Sequence, residues 1–516
     1  MTKDEELDQL RAEKTALCEA LRRKDEELDQ SHQANQDLRE GLKQALIAIG
    51  AGQERVNVLE GLIDALQERI KTLERQQAKD SHNSSLPPSS ARFVRAPKSL
   101  RTKSGKKPGG QPGHRGHHLQ QVEIPDQILI HPVARCEHCQ HDLRAQPAAL
   151  PERRQVMDLP VKRLWVTEHR VEEKQCPMCS HLTRASFPTA VVAPAQYGTG
   201  IQSLATYVVE GQAVPYARAS QLLQELLGVQ LSAGSIASFV TTCHQQLAEV
   251  EKALKAALVK TNVIHQDETT LRVGTTGWWV HVCSTKRLTH YAAHPKRGRT
   301  ALDAIGIAQA FRGTSVHDGF RSYQGYSFTH AWCNVHHLRE LTFVEEELKQ
   351  PWARKMKELL LDMKAEVERA KALSQHELDA LLLARLLRRY DSLLAEGYQA
   401  NPPPRAPSQS EPSKRTSGRA KQSPARNLLD RLSGGKWAVL RFLLDFAVPF
   451  DNNQAERDLR MIKVQQKVSG CFRTEQGVAM FCRIRSYLST LRKQGIKLLS
   501  ALDHTLSGHP VLPAFS

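Results

Sequence analysis

Three acidic residues stand where carboxylates could hold divalent metal for phosphodiester chemistry: Asp267 in HQDETTLRV, Asp318 in SVHDGF and Glu456 in DNNQAERDLR. Such chemistry needs a deprotonated oxygen nucleophile, charge neutralisation at phosphorus and stabilisation of the leaving oxygen. Two hard cations about 4 Å apart meet all three needs; Mg²⁺ prefers carboxylate oxygens, and Mn²⁺ can substitute. Asp267 is expected to bridge both ions, with Asp318 and Glu456 each completing one. Singly, each acid reads as a turn, cap or surface residue, so the argument rests on the set. Glu268 should face away from Asp267, because side chains alternate along a strand. Arg460 and Lys463 follow Glu456 on the same helical face. They suit either a terminal phosphate or a surface ion-pair ladder.

A second chemistry is carried by sulfur. Cys136-Glu-His-Cys139 and Cys176-Pro-Met-Cys179 are separated by 36 residues. Two such knuckles suit a structural, four-thiolate Zn²⁺ site, each supplying two sulfurs from one turn. A redox dithiol is the competing reading. His131, His138 and His181 lie near enough in sequence to replace a ligand. His330, Cys333, His336 and His337 form a further possible group. Zinc there would crowd the Mg²⁺ pair, so they are read as packing and DNA-facing positions.

The elements around these residues follow from periodicity. VIHQDETTLRV, GWWVHVCST and LTHYAAHP read as a three-strand antiparallel meander. A helix fits TALDAIGIAQAF, short strands fit TSVHDG and THAWCN, and a helix fits VHHLRELTFVEEEL. That order is the order of a ribonuclease H-like sheet, with the helix between the last two strands reduced to a loop around Tyr323 and Tyr326. Asp451 or Asn452 can cap the helix that carries Glu456. The domains expected are a catalytic domain over 259–350 and 441–500, interrupted by a helical insertion with a basic loop over 351–440, and a tail over 501–516. Residues 191–258 read as helix, Gly turn and Ser-capped helix, which fits either a helix-turn-helix or an ordinary helical hairpin.

The N-terminal third is organised differently. Residues 1–80 keep an imperfect heptad, with Leu21, Leu28, Asn35, Leu42 and Ile63 at one core position, and are expected to self-associate as a coiled coil. Residues 81–122 are rich in Pro, Gly and Ser. The stretch HNSSLPPSSARFVRAPKSLRTKSGKKPGGQPGHRGHH carries eight Lys or Arg and no acid, so Lys106, Lys107 and Arg115 are candidate phosphate contacts. Zinc binding is assigned to 123–190. The whole chain has 72 Lys and Arg against 55 Asp and Glu, a net charge of +17, which suits a nucleic-acid partner. No run approaches the roughly 18 apolar residues that cross a bilayer, so no membrane partner and a cytoplasmic, nucleoid-associated location are expected.

HNSSLPPSS, GGQPGHRG, the paired CxxC knuckles, HQDETTLRV, RGRTALDAIGI, SVHDGF, HAWCNVHHLREL, DNNQAERDLR, GCFRTEQG and RSYLSTLRKQG occur in this order. In them the chain resembles transposases of the insertion-sequence 66 family. The resemblance implies a multidomain α/β protein with a DDE-type catalytic domain, Asp267, Asp318 and Glu456 being the triad. It also implies leucine-zipper, zinc-binding and helix-turn-helix segments before that domain. The partners implied are element-end and target DNA, with accessory proteins of the same element as further candidates. A nuclease that cuts without joining, and a non-catalytic zinc-containing DNA-binding protein, are the alternative functions.

Overall fold

In the computed structural model the chain divides into two units, Met1–Asp80 and Ser81–Ser516. The structure describes residues 121–147 except 132, 154–156, 164–403 and 422–515, with scattered positions between 15 and 70. In the first unit residues 34–39 and 62–67 are helical, and the heptad residues Leu38, Ile63 and Ile70 are exposed. Most of the heptad, nearly all of the basic linker with Lys106, Lys107 and Arg115, and the basic loop over 404–421 lie outside the described residues.

The second unit is built around one five-stranded sheet, formed by β3 (Val263–Val273), β4 (Thr276–Ser284), β5 (Thr289–His294), β6 (Thr314–His317) and β7 (Thr329–Trp332). Its order is β5-β4-β3-β6-β7; β3, β4 and β5 are antiparallel, while β6 and β7 run parallel to β3. Two short strands precede it, β1 (Glu173–Gln175) and β2 (Leu182–Arg184). The β3–β4 connection is tight because Gly274 takes a positive φ of 57°, where a side chain would be strained. Between β6 and β7 there is a single 3₁₀ turn, Arg321–Gly325, where the sequence reads as a loop.

Each face of the sheet has its own helices. On one side α5 (Arg299–Ile305), α6 (Ile307–Ala310) and α4 (Ala248–Val259) bury Leu302, Ile307, Phe311 and Leu258 with Ile264. On the other, α13 (Asn453–Ser469) and α14 (Glu475–Lys493) cover Leu271, Val280 and Tyr291 with Leu459, Ile462 and Phe481. The edge strand β5 is not left open. Ser486 and Thr490, one turn apart on α14, accept from the Tyr291 and Thr289 N–H groups at 2.8 and 3.0 Å. This protects an edge that would otherwise pair with another chain.

After β7, α7 (Asn334–Glu346) leads into α8 (Pro351–Ala372), α9 (Ala380–Ala400), α10 (Pro424–Gly434), α11 (Lys436–Val439) and α12 (Arg441–Leu444). Local signals start these helices. Pro351 and Pro424 sit in first turns, where a missing N–H costs nothing, and Asp379 and Ser423 accept from free N–H groups. Their apolar faces close one core around Trp352, Met356, Tyr390 and Leu429, which also takes Leu338 and Leu341 from α7.

Residues 199–258 form α1 (Thr199–Thr206), α2 (Tyr216–Leu227), α3 (Ala233–Gln246) and α4. As the sequence predicts, Gly228 ends α2 with φ 71° and Ser232 caps α3. Of residues 501–516, assigned to a tail, 501–506 complete α15 (Leu498–Leu506), whose Ala501 and Leu502 enter a core with Val240, Cys243 and Leu247 of the α3 region and Leu488 of α14. Among the described residues no helix is long and apolar enough to cross a membrane.

Candidate active site at the β3–β6 seam

Asp267 and Asp318 are brought together by strand register. The parallel pairing of β3 and β6 ends at His265 opposite Val316, and each aspartate lies two residues beyond that pair. Asp318 is then fixed by local bonds. Its Oδ1 accepts from the Phe320 N–H at 2.8 Å, and Gly319 takes φ 85°. The Gly319 N–H donates to His317 Nδ1 at 3.0 Å, so His317 carries its proton on Nε2 and donates to His330 Nδ1, also at 3.0 Å. Burial pushes His317 down to about 3, which keeps the ring neutral and this bonding pattern intact.

The third carboxylate arrives on α13. Asn452 occupies the cap position but its side chain makes no capping bond, in contrast to the expected role. It turns toward β3: Nδ2 donates to the Gln266 carbonyl at 2.8 Å, and Oδ1 accepts from His265 Nδ1 at 2.9 Å. Its own N–H points at Cys333 Sγ, 3.2 Å away at the end of β7. Asp451 instead accepts from the Asn453 N–H at 3.0 Å. Asn452, only 1% exposed, thus ties the start of α13 to β3 and β7 and delivers Glu456 one turn later. Asn452→Ala is expected to destabilise the fold by about 2–3 kcal/mol, since two buried partners lose their bonds. Thermal melts check this; an unchanged melting point would refute the role of Asn452 in tying α13 to β3.

The electrostatics are those of a crowded acidic site. Burial, then the charges of Glu268, Asp318 and Glu456, push the Asp267 carboxyl well above the usual carboxylate range. Glu268, expected to face away from Asp267, remains part of the surroundings, since its charge follows burial as the cause that raises Asp267. Its carboxylate is held by Arg297 at 2.7 Å and by the Tyr323 hydroxyl at 2.9 Å, and burial and Asp318 raise it. Arg297 lies 4.0 Å from Asp318 and rests on the rings of Phe320 and Trp279. Among the described residues Glu456 makes no ion pair, so the surface-ladder reading of Glu456 and Arg460 has no support.

Other expected site residues fall as follows. Lys463 Nζ donates to the Thr270 carbonyl at 3.0 Å and ties α13 to β3, while Arg460 is exposed. Cys333 Sγ, a ring nitrogen of His336 and a carboxylate oxygen of Glu456 lie within 4.8 Å of one another, the one such grouping among the described residues. Burial pushes the Cys333 thiol up to about 12. His337 is buried against Asn334, and His330 bonds to His317, so neither joins that group.

The two cysteine knuckles have the same turn. The Cys136 N–H donates to the His141 carbonyl and the Gln140 N–H to the Cys136 carbonyl; Cys176, His181 and Ser180 repeat the pattern. Gln140 and Ser180 both take positive φ, 62° and 55°. In each knuckle backbone N–H groups hold the first thiol below its ordinary value. Within the described residues no three of the four sulfurs, nor any histidine with two of them, reach metal-ligand proximity. Residues 148–153 and 157–163, in the connection, lie outside those described.

Sequence reasoning missed Arg297 and the roles of Asn452 and Glu268. Arg297 opens the RGRTALDAIGI stretch and Asn452 lies in DNNQAERDLR, so their neighbourhoods were marked but their partners were not.

Comparison with known proteins followed the same residues. No curated protein matches the chain. Residues 3–120 match a family of unknown function (DUF6444). Residues 195–480, which span β3 to β7, the helical insertion and α13, match the family described as Transposase IS66 family. With more than half of its 516 residues matched, the chain belongs to the IS66 family of transposases.

Proposed function

We propose that this transposase cuts DNA at the ends of its element and joins them to target DNA, using Asp267, Asp318 and Glu456. The observation that carries the reading is the convergence of three carboxylates from β3, the end of β6 and the first turn of α13. The strand order β5-β4-β3-β6-β7 supports a ribonuclease H-like catalytic domain. The acidic cluster also fits metal. Four carboxylates crowd one place with Arg297 as their near cation, and a hard oxygen donor set suits Mg²⁺. Asp267, Asp318 and Glu456 would hold the ions, which when bound neutralise phosphate charge and lower the pKa of a nucleophile.

The chain's own residues supply position. Asn452, His265 and Gln266 hold the Glu456 turn against β3, and the His317–Gly319 and Asp318–Phe320 bonds fix the second aspartate. Arg297 keeps Glu268 ionically satisfied, so that it does not compete for metal. In the first reaction a water oxygen bonds to phosphorus as the bond to the 3′ oxygen breaks, leaving a 3′-OH. In the second, that oxygen bonds to a target phosphorus as the target's 3′ oxygen leaves. The knuckles would hold a structural Zn²⁺, and α2–α3 would contact DNA as a helix-turn-helix, with Ala233, Gly234 and Ser238 exposed on α3. Self-association through residues 1–80 would pair two element ends.

The test is a Mg²⁺-dependent strand-transfer assay with DNA taken from beside the gene and a supercoiled target. Joined product is expected. Cleavage without joining would favour a nuclease, and binding without either would favour a non-catalytic DNA-binding protein.

A further inference from the structure

A cavity of about 610 Å³ lies on the open edge of the sheet, between β7 and the α10–α12 turns. It is lined by Trp332, Trp437, His330, Gln324, Arg431 and Arg441, with the Gly434–Gly435 backbone between them. Its size falls in the roughly 300–1,000 Å³ range of sites for small organic groups. Gly435 is required there, since any side chain would overlap the Trp332 ring. The cavity therefore owes its shape to backbone packed directly on an indole.

Two features decide its chemistry. First, the walls combine two indoles with two guanidinium groups, and Trp437 is 53% exposed beside Lys436, whose Nζ is 5.2 Å from its ring. Flat π-faces with cations suit a planar, electron-rich group attached to an anion. Second, the acid in the lining is already engaged: Asp430 pairs with Arg426 at 3.3 Å and accepts from Tyr398. Arg431 pairs with Glu340, whereas Arg441 makes no ion pair among the described residues.

The cavity is also joined to the reaction centre. His330 is bonded to His317, the residue before Asp318, and the Trp332 ring packs on Gly319, the residue after it, where a Cβ would stand 3.5 Å away. We propose that this cavity takes one unpaired nucleotide of the DNA being processed, its base stacked on Trp437 and its phosphate near Arg441. This rests on the DNA-cleaving reading above. A base drawn out of the helix here would bend the strand toward Asp318, and the stacking would offset the unstacking it costs.

The full chain, without divalent metal to prevent cleavage, is titrated with two duplexes of one sequence. One is fully paired and one carries a single unpaired 2-aminopurine. The wild-type protein is expected to bind the second about tenfold more tightly, in line with the stacking of one base on an aromatic ring, and to quench its fluorescence. Trp437→Ala should bring its affinity down to that for the paired duplex and restore the fluorescence, whereas Trp437→Phe should keep most of the preference. Equal affinity of the wild type for both duplexes, or a preference that survives Trp437→Ala, would overturn the proposal. Binding of neither duplex would overturn the DNA-processing reading and this site with it.

Discussion

Asp267→Asn is expected to reduce both cleavage and joining by at least about 10³-fold, the scale lost when charge stabilisation is removed from a preorganised site. Binding to DNA should be retained, because the basic surface does not depend on this carboxyl. Asn keeps the shape and can still accept the Glu268 N–H bond made by Asp267 Oδ1 at 2.8 Å. What it loses is the charge. In the absence of metal that charge is a liability: desolvation, and then the charges of Glu268, Asp318 and Glu456, raise the Asp267 carboxyl. The direction of the stability effect follows. A raised folded-state value means that the ionised form is disfavoured in the fold at neutral pH, and the penalty disappears as pH falls below the ordinary carboxylate range. Asp267→Asn should therefore melt higher than the wild type in chelator, and the difference should shrink toward acidic pH. Mg²⁺ should raise the wild-type melting point more than that of the variant. An Asp267→Asn protein that still cleaves, or that responds equally to Mg²⁺, would remove Asp267 from the metal site.

Loss of metal from the paired knuckles is expected to have the second largest effect. No described residue between 121 and 192 is buried, and Val156, Trp165, Met178 and Val192 are each more than four-fifths exposed. A segment of that size without a core needs another crosslink to hold a shape. Zinc binding by four thiolates supplies about 10–16 kcal/mol in small zinc domains, enough to decide whether such a segment folds. Chelator, or Cys136→Ser with Cys176→Ser, should therefore remove about one Zn²⁺ per chain and abolish hydrogen-exchange protection at the two knuckle turns. The β3–β7 sheet, with its own core, should keep its protection. Protection at the Cys136 and Cys176 N–H groups that survives complete metal removal would show that the knuckles stand without zinc.

In the knuckle segment the local turns are formed, but the two cysteine pairs are not gathered. The Cys333, His336 and Glu456 grouping adjoins the first site. Burial pushes its thiol up to about 12, so in the absence of metal it stands there as a neutral hydrogen-bonding group.

Several features were legible from residues alone because they depend on local chemistry. Period-two alternation marked β3, β4 and β5, Gly228 and Ser232 marked the ends of α2 and α3, and repeated Cys spacing marked the knuckles. The acidic residues were named from their motifs, and their type determines the metals they prefer. What the tertiary structure decided is everything that depends on partners distant in sequence. The β3–β6 register aligns Asp267 with Asp318, 51 positions apart, and no local signal encodes that pairing. Asn452 looked like a helix cap because Asn favours caps, but buried His265 and Gln266 offer its amide two long-range bonds that outcompete local capping. Ala501 and Leu502, in the segment assigned to a tail, dock because α3 and α14 provide a face for them. Sequence determined which groups this protein can use; long-range packing decided which of them meet, since burial makes distant partners worth more than local ones.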